Sequence, residues 1–306
     1  MSKYLIGIYL ALVIAILVII QIGIRQKSGP HEPERQETEQ GYTPLATKLA
    51  KVEEESRKAE LEVKQAKIGE DFESMVFIPA GEFFMGSNDG SYDAKPVRMV
   101  YLDGFSIDKY EVTFAQFYQF IGLTGHRKPR LAGYLSASVT EDIPLFIRAM
   151  NPVVGVSWDD AVEYCQWKGK RLPSEAEWEK AAKGTDKRKW PWGNEERSEY
   201  ANLLGDDGAP YTAPVNQFRK DVSPYGVYDL AGNAMEWVAD WFNQDSYRIL
   251  PVSNPLGVSS GESRVIRGAS WNDSIKRAQT SIRFKMSPEY RDVTIGFRCA
   301  KSGSPP

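Results

Sequence analysis

Residues 151–184 read NPVVGVSWDDAVEYCQWKGKRLPSEAEWEKAAKG and contain two helix starts. Ser157 is followed three positions later by Asp160, and Ser174 by Glu177. At that spacing the serine oxygen accepts from a first-turn amide and the acid reaches back to the cap amide, so two orphan donors are satisfied. The pattern predicts helices over 158–168 and 174–182. Thr113 and Gln116 repeat it upstream and predict a third over 113–122.

On the N-terminal side, SMVFIPAGEFFMGS (74–87) and VRMVYLDGFSIDKYEVT (97–113) alternate apolar and polar residues between glycine-containing turns, as strands or hairpins do. On the other side, 183–299 is rich in Gly, Asn, Asp and Pro and poor in periodic runs. Such chain needs fasteners: tryptophan packing, a crosslink or bound cations. All eight tryptophans lie between Trp158 and Trp271. Globular character runs from about Asp71, and the domain is assigned to 71–306.

Composition narrows the chemistry. The net charge is −3, with 42% hydrophobic and 26% charged residues, which describes a globular protein with no basic excess for nucleic acid. Two cysteines and two histidines are too few for a zinc site of usual spacing. His126, beside Arg127, Lys128 and Arg130, reads as a surface-loop residue rather than a general base, and the basic cluster as a solvated loop, with recognition of an acidic partner as the alternative. From the residues alone Cys165 and Cys299 stay open between a nucleophile, a metal ligand, free thiols and a crosslink.

The N-terminal 70 residues are of another kind. Tyr4–Ile24 carry no charge and one polar side chain, Gln21; as a helix they would cross about 30 Å of hydrocarbon. We read 1–24 as a transmembrane anchor in membrane lipid. The competing signal peptide is disfavoured by the length of the apolar run and the lack of a small-x-small cleavage pattern. Residues 25–44 are a polar, proline-containing linker. In 45–70, Leu45, Leu49, Val52, Ser56, Ala59, Val63 and Ala66 form a heptad seam, which predicts a helical stalk, lone or pairing into a homo-oligomer.

MVFIPAGEFFMGS, YEVT, the 151–184 stretch, PWGN, YAN, APV, YGVYDLAGNAMEWVADWF, RVIRGASW and IGFRC occur in an order that closely resembles the formylglycine-generating enzyme, or sulfatase-modifying factor, family, over roughly 75–300. The resemblance implies an α+β, C-type-lectin-like fold with much irregular structure. It also implies a disulfide between Cys165 and Cys299, closing a loop of over a hundred residues and stabilising the fold by roughly 4 kcal/mol in the chain-entropy model. Enzymes of the family oxidise a sulfatase cysteine with two copper-binding cysteines five residues apart. Here the corresponding segment, RGASWNDSIKRAQTSIRFKMSPEYRD (267–292), has no cysteine, so neither that activity nor copper is expected.

The resemblance further implies two structural calcium sites. One uses the Asn202 side chain, the Leu203 carbonyl, the Asp207 carboxylate and the Ala209 carbonyl; the other the Asp229 side chain, the Gly232 and Ala234 carbonyls and the Glu236 carboxylate. Turn, cap and solvated-acid roles are the alternatives for these residues. Ser270, Trp271, Asn272 and Asp273 are expected to line a groove for a peptide, a protein partner or a small ligand. The resulting expectation is a membrane-anchored, non-catalytic binding or assembly subunit whose globular domain lies outside the cytosol, where disulfides persist. A maturation or oxidative enzyme with another active site and a structural subunit of a membrane complex are the alternatives.

Overall fold

The computed structural model describes residues 45–66, 69–131, 143–205 and 208–303. The expected anchor and linker lie outside them. Among the described residues no helix is long and apolar enough to cross a membrane.

The first element is helix α1 (Leu45–Gln65). Four strands follow: β1 (Met75–Ile78), β2 (Gly81–Met85), β3 (Arg98–Leu102) and β4 (Phe105–Asp108). They occupy the segments whose alternation predicted strands. In β3, Val100 and Leu102 are buried while Met99 and Tyr101 face outward, the period-two pattern of a half-covered strand. Helix α2 (Phe114–Thr124) starts at the Thr113 capping box and ends at Gly125, whose φ of 73° is the left-handed conformation glycine permits. A short α3 (Ile143–Phe146) precedes α4 (Trp158–Trp167) and α5 (Glu175–Lys183), each opened by its expected box, Ser157 with Asp160 and Ser174 with Glu177.

The remainder supplies β5 (Met235–Trp241), β6 (Arg264–Arg267), β7 (Phe284–Met286), β8 (Ile295–Phe297) and β9 (Ala300–Ser302). Among the described residues the strands form three sheets, with strand orders β1-β4-β9, β2-β3 and β7-β6-β5-β8. The pairing of β5 with β8 is parallel; the other pairings are antiparallel. The last strand therefore closes back onto β4, near the start of the domain. Between β5 and β8 the chain is mostly irregular, in keeping with its Gly, Asn, Asp and Pro content.

Cys165 on α4 and Cys299 between β8 and β9 are joined, with an S–S distance of 2.01 Å and both residues fully buried. The bond lies in a core that also holds Phe117, Tyr164, Trp237, Trp271 and Phe297. A second apolar cluster, containing Phe83, Ile107, Trp178 and Val265, packs beneath α5.

The C-terminal part of the α1 heptad seam packs inside the chain. Val63 is buried in the main core, Ala59 and Ala66 pack against it, and the helix lies on α2 and α3. Glu60 pairs with Lys128 and hydrogen-bonds the Tyr118 hydroxyl. Val52 and Ser56, also on the seam, are half-buried, whereas Glu53, Glu54 and Glu55 face solvent.

Candidate functional site

The polar centre of the domain is built from four segments: YEVT, YAN, YDLAGNAMEW and GFRC. Glu111 follows β4, Asn202 lies in irregular chain, Asp229–Glu236 leads into β5, and Arg298 follows β8. All are buried, and so is Asp221. Asn233 is the hub, at a φ of 77° that asparagine tolerates better than most residues. Its Nδ2 donates to Glu111 Oε2 at 2.6 Å, while its Oδ1 accepts from Ala213 N at 2.9 Å and from Asn202 Nδ2 at 3.0 Å. The Ala234 amide donates to Glu111 Oε1, and those of Ala231 and Gly232 donate to Asp221.

These bonds orient Asn202. Its Nδ2 must serve Asn233 and the Tyr211 carbonyl, which leaves Asn202 Oδ1 buried with no hydrogen-bond partner among the described residues. A buried orphan acceptor calls for an unseen donor or ion. A hard cation that takes mixed side-chain and backbone oxygens suits this set, with Leu203 buried and Ala209 half-buried nearby in sequence. Asp207 lies outside the described residues.

In the second predicted set, Asp229 has a φ of 56° and accepts the Asn216 amide at 2.7 Å. Both Glu236 oxygens are engaged by Arg298, and Oε2 also accepts from Trp178 Nε1 at 2.8 Å. Arg298 Nε also reaches Oε1 at 3.0 Å, so four contacts meet the roughly four acceptor positions of this carboxylate, and a cation at Glu236 would have to displace one of them. Charge is the larger feature: Glu111, Asp221, Asp229 and Glu236 share the field of one buried guanidinium, Arg298. Burial pushes Asp221 up to about 8 and Asp229 to about 7, and holds Glu111 well above the carboxylate range with help from Asp229 and Glu236. Among the described residues no group of three or more His, Cys, Asp and Glu is arranged to hold a metal by side chains alone. Any cation here must draw on backbone and amide oxygens as well.

The expected groove differs from the prediction at Trp271. Its ring is buried against Phe146 and Tyr211, at centroid distances of 5.8 and 5.1 Å, and its Nε1 donates to the Val293 carbonyl. Trp271 is thus core rather than an open wall, because an indole set between two aromatic rings gains more from burial than from exposure. Ser270 is buried too, its hydroxyl donating to Asp273 Oδ2 at 2.6 Å. Asn272 is exposed, and Asp273 is half-buried and paired with Arg277. The Trp271 amide donates to the Asn233 carbonyl at 3.0 Å, which ties this turn to the polar centre.

His126 is less exposed than its surroundings suggest. Its ring nitrogens lie 2.9 Å from Asp160 Oδ1 and 3.2 Å from Glu163 Oε2, and Arg127 and Arg291 share Asp160. Asp160 also completes the cap of α4, so this group anchors a helix end.

A model of the sulfatase-modifying factor enzyme 1-like domain matches residues 60–303. The chain belongs to this family. It is 37% identical to the serine/threonine-protein kinase Pkn1 of Chlamydia trachomatis over 280 residues, covering 88% of this chain and 45% of that protein. It is 34% identical to the formylglycine-generating enzyme of Mus musculus over 284 residues, covering 76% of each. The chain spans less than half the length of the Pkn1 relative. Among solved structures, PvdO from Pseudomonas aeruginosa superposes with a TM-score of 0.65 at 27% identity, over 76% of this chain and 95% of that one. The family match begins inside α1, in accord with that helix packing on the domain.

Sequence reasoning did not single out Glu111, Asp221, Asn233 or Arg298 as parts of the centre. Glu111, Asn233 and Arg298 lie inside quoted motifs, YEVT, GNAMEW and GFRC. What was missing was their convergence, which only the closure of β8 and β9 onto the N-terminal strands brings about.

Proposed function

We propose that this family member is a non-catalytic binding or assembly subunit, anchored in a membrane through residues 1–24 with its globular domain on the extracytoplasmic side. One observation carries the reading: the chain has two cysteines, and both are spent in the Cys165–Cys299 disulfide. Oxidation of a sulfatase cysteine in the manner of the family needs a thiolate that can exchange and hold copper, and this chain has no thiol to supply one. A buried disulfide also suits an oxidising compartment.

Calcium belongs to the same proposal. Asn202, with the Leu203 and Ala209 carbonyls and Asp207, would hold one ion; Asp229, with the Gly232 and Ala234 carbonyls and Glu236, would hold the second. Their role would be structural, gathering oxygens of irregular chain and offsetting the buried acids. The partner is a protein or peptide meeting the exposed edge of the 270–273 turn at Asn272 and Asp273.

Two measurements test the reading. Purified full-length protein given copper, oxygen and a Cys-x-Pro-x-Arg peptide should leave the peptide cysteine unmodified; an aldehyde seen by mass spectrometry would overturn the non-catalytic assignment. Affinity capture from detergent-solubilised membranes should bring down a stoichiometric partner that Asn272→Arg weakens. Capture of no partner would count against an assembly role.

A further inference from the structure

A second buried charge network lies along α5, outside the centre described above. Arg267 donates to Glu175 Oε1 and Glu179 Oε2, both at 2.7 Å; Arg283 donates to Glu175 Oε1 at 2.6 Å; and Lys183 Nζ donates to Glu179 Oε1 at 2.6 Å. None of these five side chains is more than 3% exposed. Three cations face two carboxylates in direct contact, so one positive charge is left over among them; Asp186 also feels Lys183 but is itself matched by Arg188. Tyr247, whose hydroxyl joins Glu175, Glu179 and Arg267, is kept protonated by burial and adds no charge. Asp240 accepts the Glu175 amide, and burial pushes its carboxyl up to about 7, so it is at most a partial counter-charge. It also sits at the wrong end: Glu175 and Lys183 are eight residues apart on α5, about 12 Å along the axis.

At the Lys183 end there is a cavity of ≈ 230 Å³, several times the ~30 Å³ share of a water molecule. Lys183 forms part of its wall. An ammonium has three donors, and two of these serve Glu179 and the Gly86 carbonyl at 2.9 Å. The third is available to the cavity. Lys187 and Lys189 also line it, and among the described residues neither has a carboxylate partner; Lys187 lies over the Phe84 ring instead, at 4.3 Å. The hydroxyls of Ser87 and Ser281 complete the donor set. Arg188, on the same wall, is spent on Asp186 and the Pro191 carbonyl. Asp89 is the one acid on the lining, and it is exposed at the rim.

We infer that this cavity is a binding site for a tetrahedral oxyanion, a phosphate or sulfate group, held by Lys183 at its base and by Lys187 and Lys189 above. An anion there supplies the counter-charge that the Glu175–Lys183 network lacks. Three ammonium groups and two hydroxyls offer more donors than the two oxygens of a planar carboxylate use, and they match the three or four oxygens of a tetrahedral group. The charge-assisted bonds form at a partly desolvated ammonium, where they are strongest.

The test is a titration of the full-length protein in detergent at constant ionic strength, with chloride as the reference anion. Inorganic phosphate, inorganic sulfate and methyl phosphate should each be tried, with binding read by calorimetry and by melting temperature. Saturable binding of at least one oxyanion is expected, with affinity falling at least tenfold in Lys187→Gln/Lys189→Gln. Both of those side chains are exposed, so this variant should melt like the parent in chloride. Lys276→Gln/Lys301→Gln, which removes the same charge elsewhere, should bind like the parent. Methyl phosphate bound as tightly as phosphate assigns the site to a monoester of a larger molecule, and phosphate or sulfate alone assigns it to the free ion. Absence of saturable binding by all three anions, or equal losses in the two double variants, would overturn the site.

Discussion

Arg298 Nη2 lies 2.7 Å from Glu236 Oε1 and Arg298 Nε 2.8 Å from Glu236 Oε2, in a two-pronged pair with neither side chain more than 1% exposed. The same guanidinium donates to the Tyr228 carbonyl at 2.8 Å and so also holds the chain entering the GNAMEW segment. Burying such a pair is no guarantee of net stability, but breaking one half leaves an uncompensated charge.

Arg298→Met should therefore destabilise the fold by about 3–5 kcal/mol, since Glu236, Glu111 and Asp229 lose their cation together. The combined Arg298→Met/Glu236→Gln variant should lose less than the sum of its single changes. Urea unfolding at fixed calcium measures both; a strictly additive double variant would show that the pair is not coupled.

Reduction of the disulfide should cost about 2–5 kcal/mol. A thiol-reactive mass tag should label neither cysteine of the unreduced protein and both after denaturing reduction. Full labelling without reductant would remove the basis for placing the domain in an oxidising compartment.

Calcium should raise the melting temperature, by the equivalent of about 2.7 kcal/mol per site at a hundredfold excess over Kd. Asp207→Ala and Asp229→Ala should each remove part of that increment and leave the chelated protein little changed. A melting curve identical in calcium and in chelator, for protein shown to be metal-free at the start, would refute both sites.

Asp240 offers a pH test away from the expected calcium ligands. Burial and the nearby Glu175 raise its carboxyl from the usual 3.8 to about 7. The folded state thus holds a proton that the unfolded state releases. The contribution is full below about 4 and is lost as pH rises toward 7. Asp240→Asn keeps an acceptor for the Glu175 amide and cannot ionise, so its stability relative to the parent should improve between about pH 4 and 7 and level off above that, by at most about 1.4 kcal/mol per pH unit. Parallel pH profiles for parent and variant would exclude the assignment.

Val63→Ala should cost about 2 kcal/mol, the transfer value of two buried methyl groups plus a small cavity. Leu61→Ala, on the exposed side of the same helix, should be nearly neutral. Equal effects at the two positions would mean that α1 does not dock on the domain in solution.

Local chemistry made the three capped helices and the first four strands legible. A capping box or a two-residue alternation is written within a few neighbouring positions, and Thr113, Ser157 and Ser174 begin helices where expected. The partner of a side chain distant in sequence is not written in this way. Nothing around Trp271 announces Phe146 and Tyr211, and nothing around Lys183 announces Gly86. The seam of α1 was legible as a stripe, but a stripe does not name what covers it; here α2 and α3 do. The pairing of Cys165 with Cys299 followed from motif order, since elementary chemistry left several roles open for each thiol.

The docking of α1 also has a mechanical meaning. Tension on the chain ahead of Leu45 enters the domain through one helix, and among the described contacts that bear it are side-chain contacts: the packing of Ala59 and Val63 and the Glu60–Lys128 pair. The hydrogen-bonded ladder β1-β4-β9 and the crosslinked core lie downstream of these. A helix held by such side-chain contacts is a low-stability unit that can open without the rest. Pulled from that end, α1 would lift away first, as a fuse that adds slack while the disulfide-closed core keeps its shape, and a single-molecule force trace should record a small early extension before the main unfolding event.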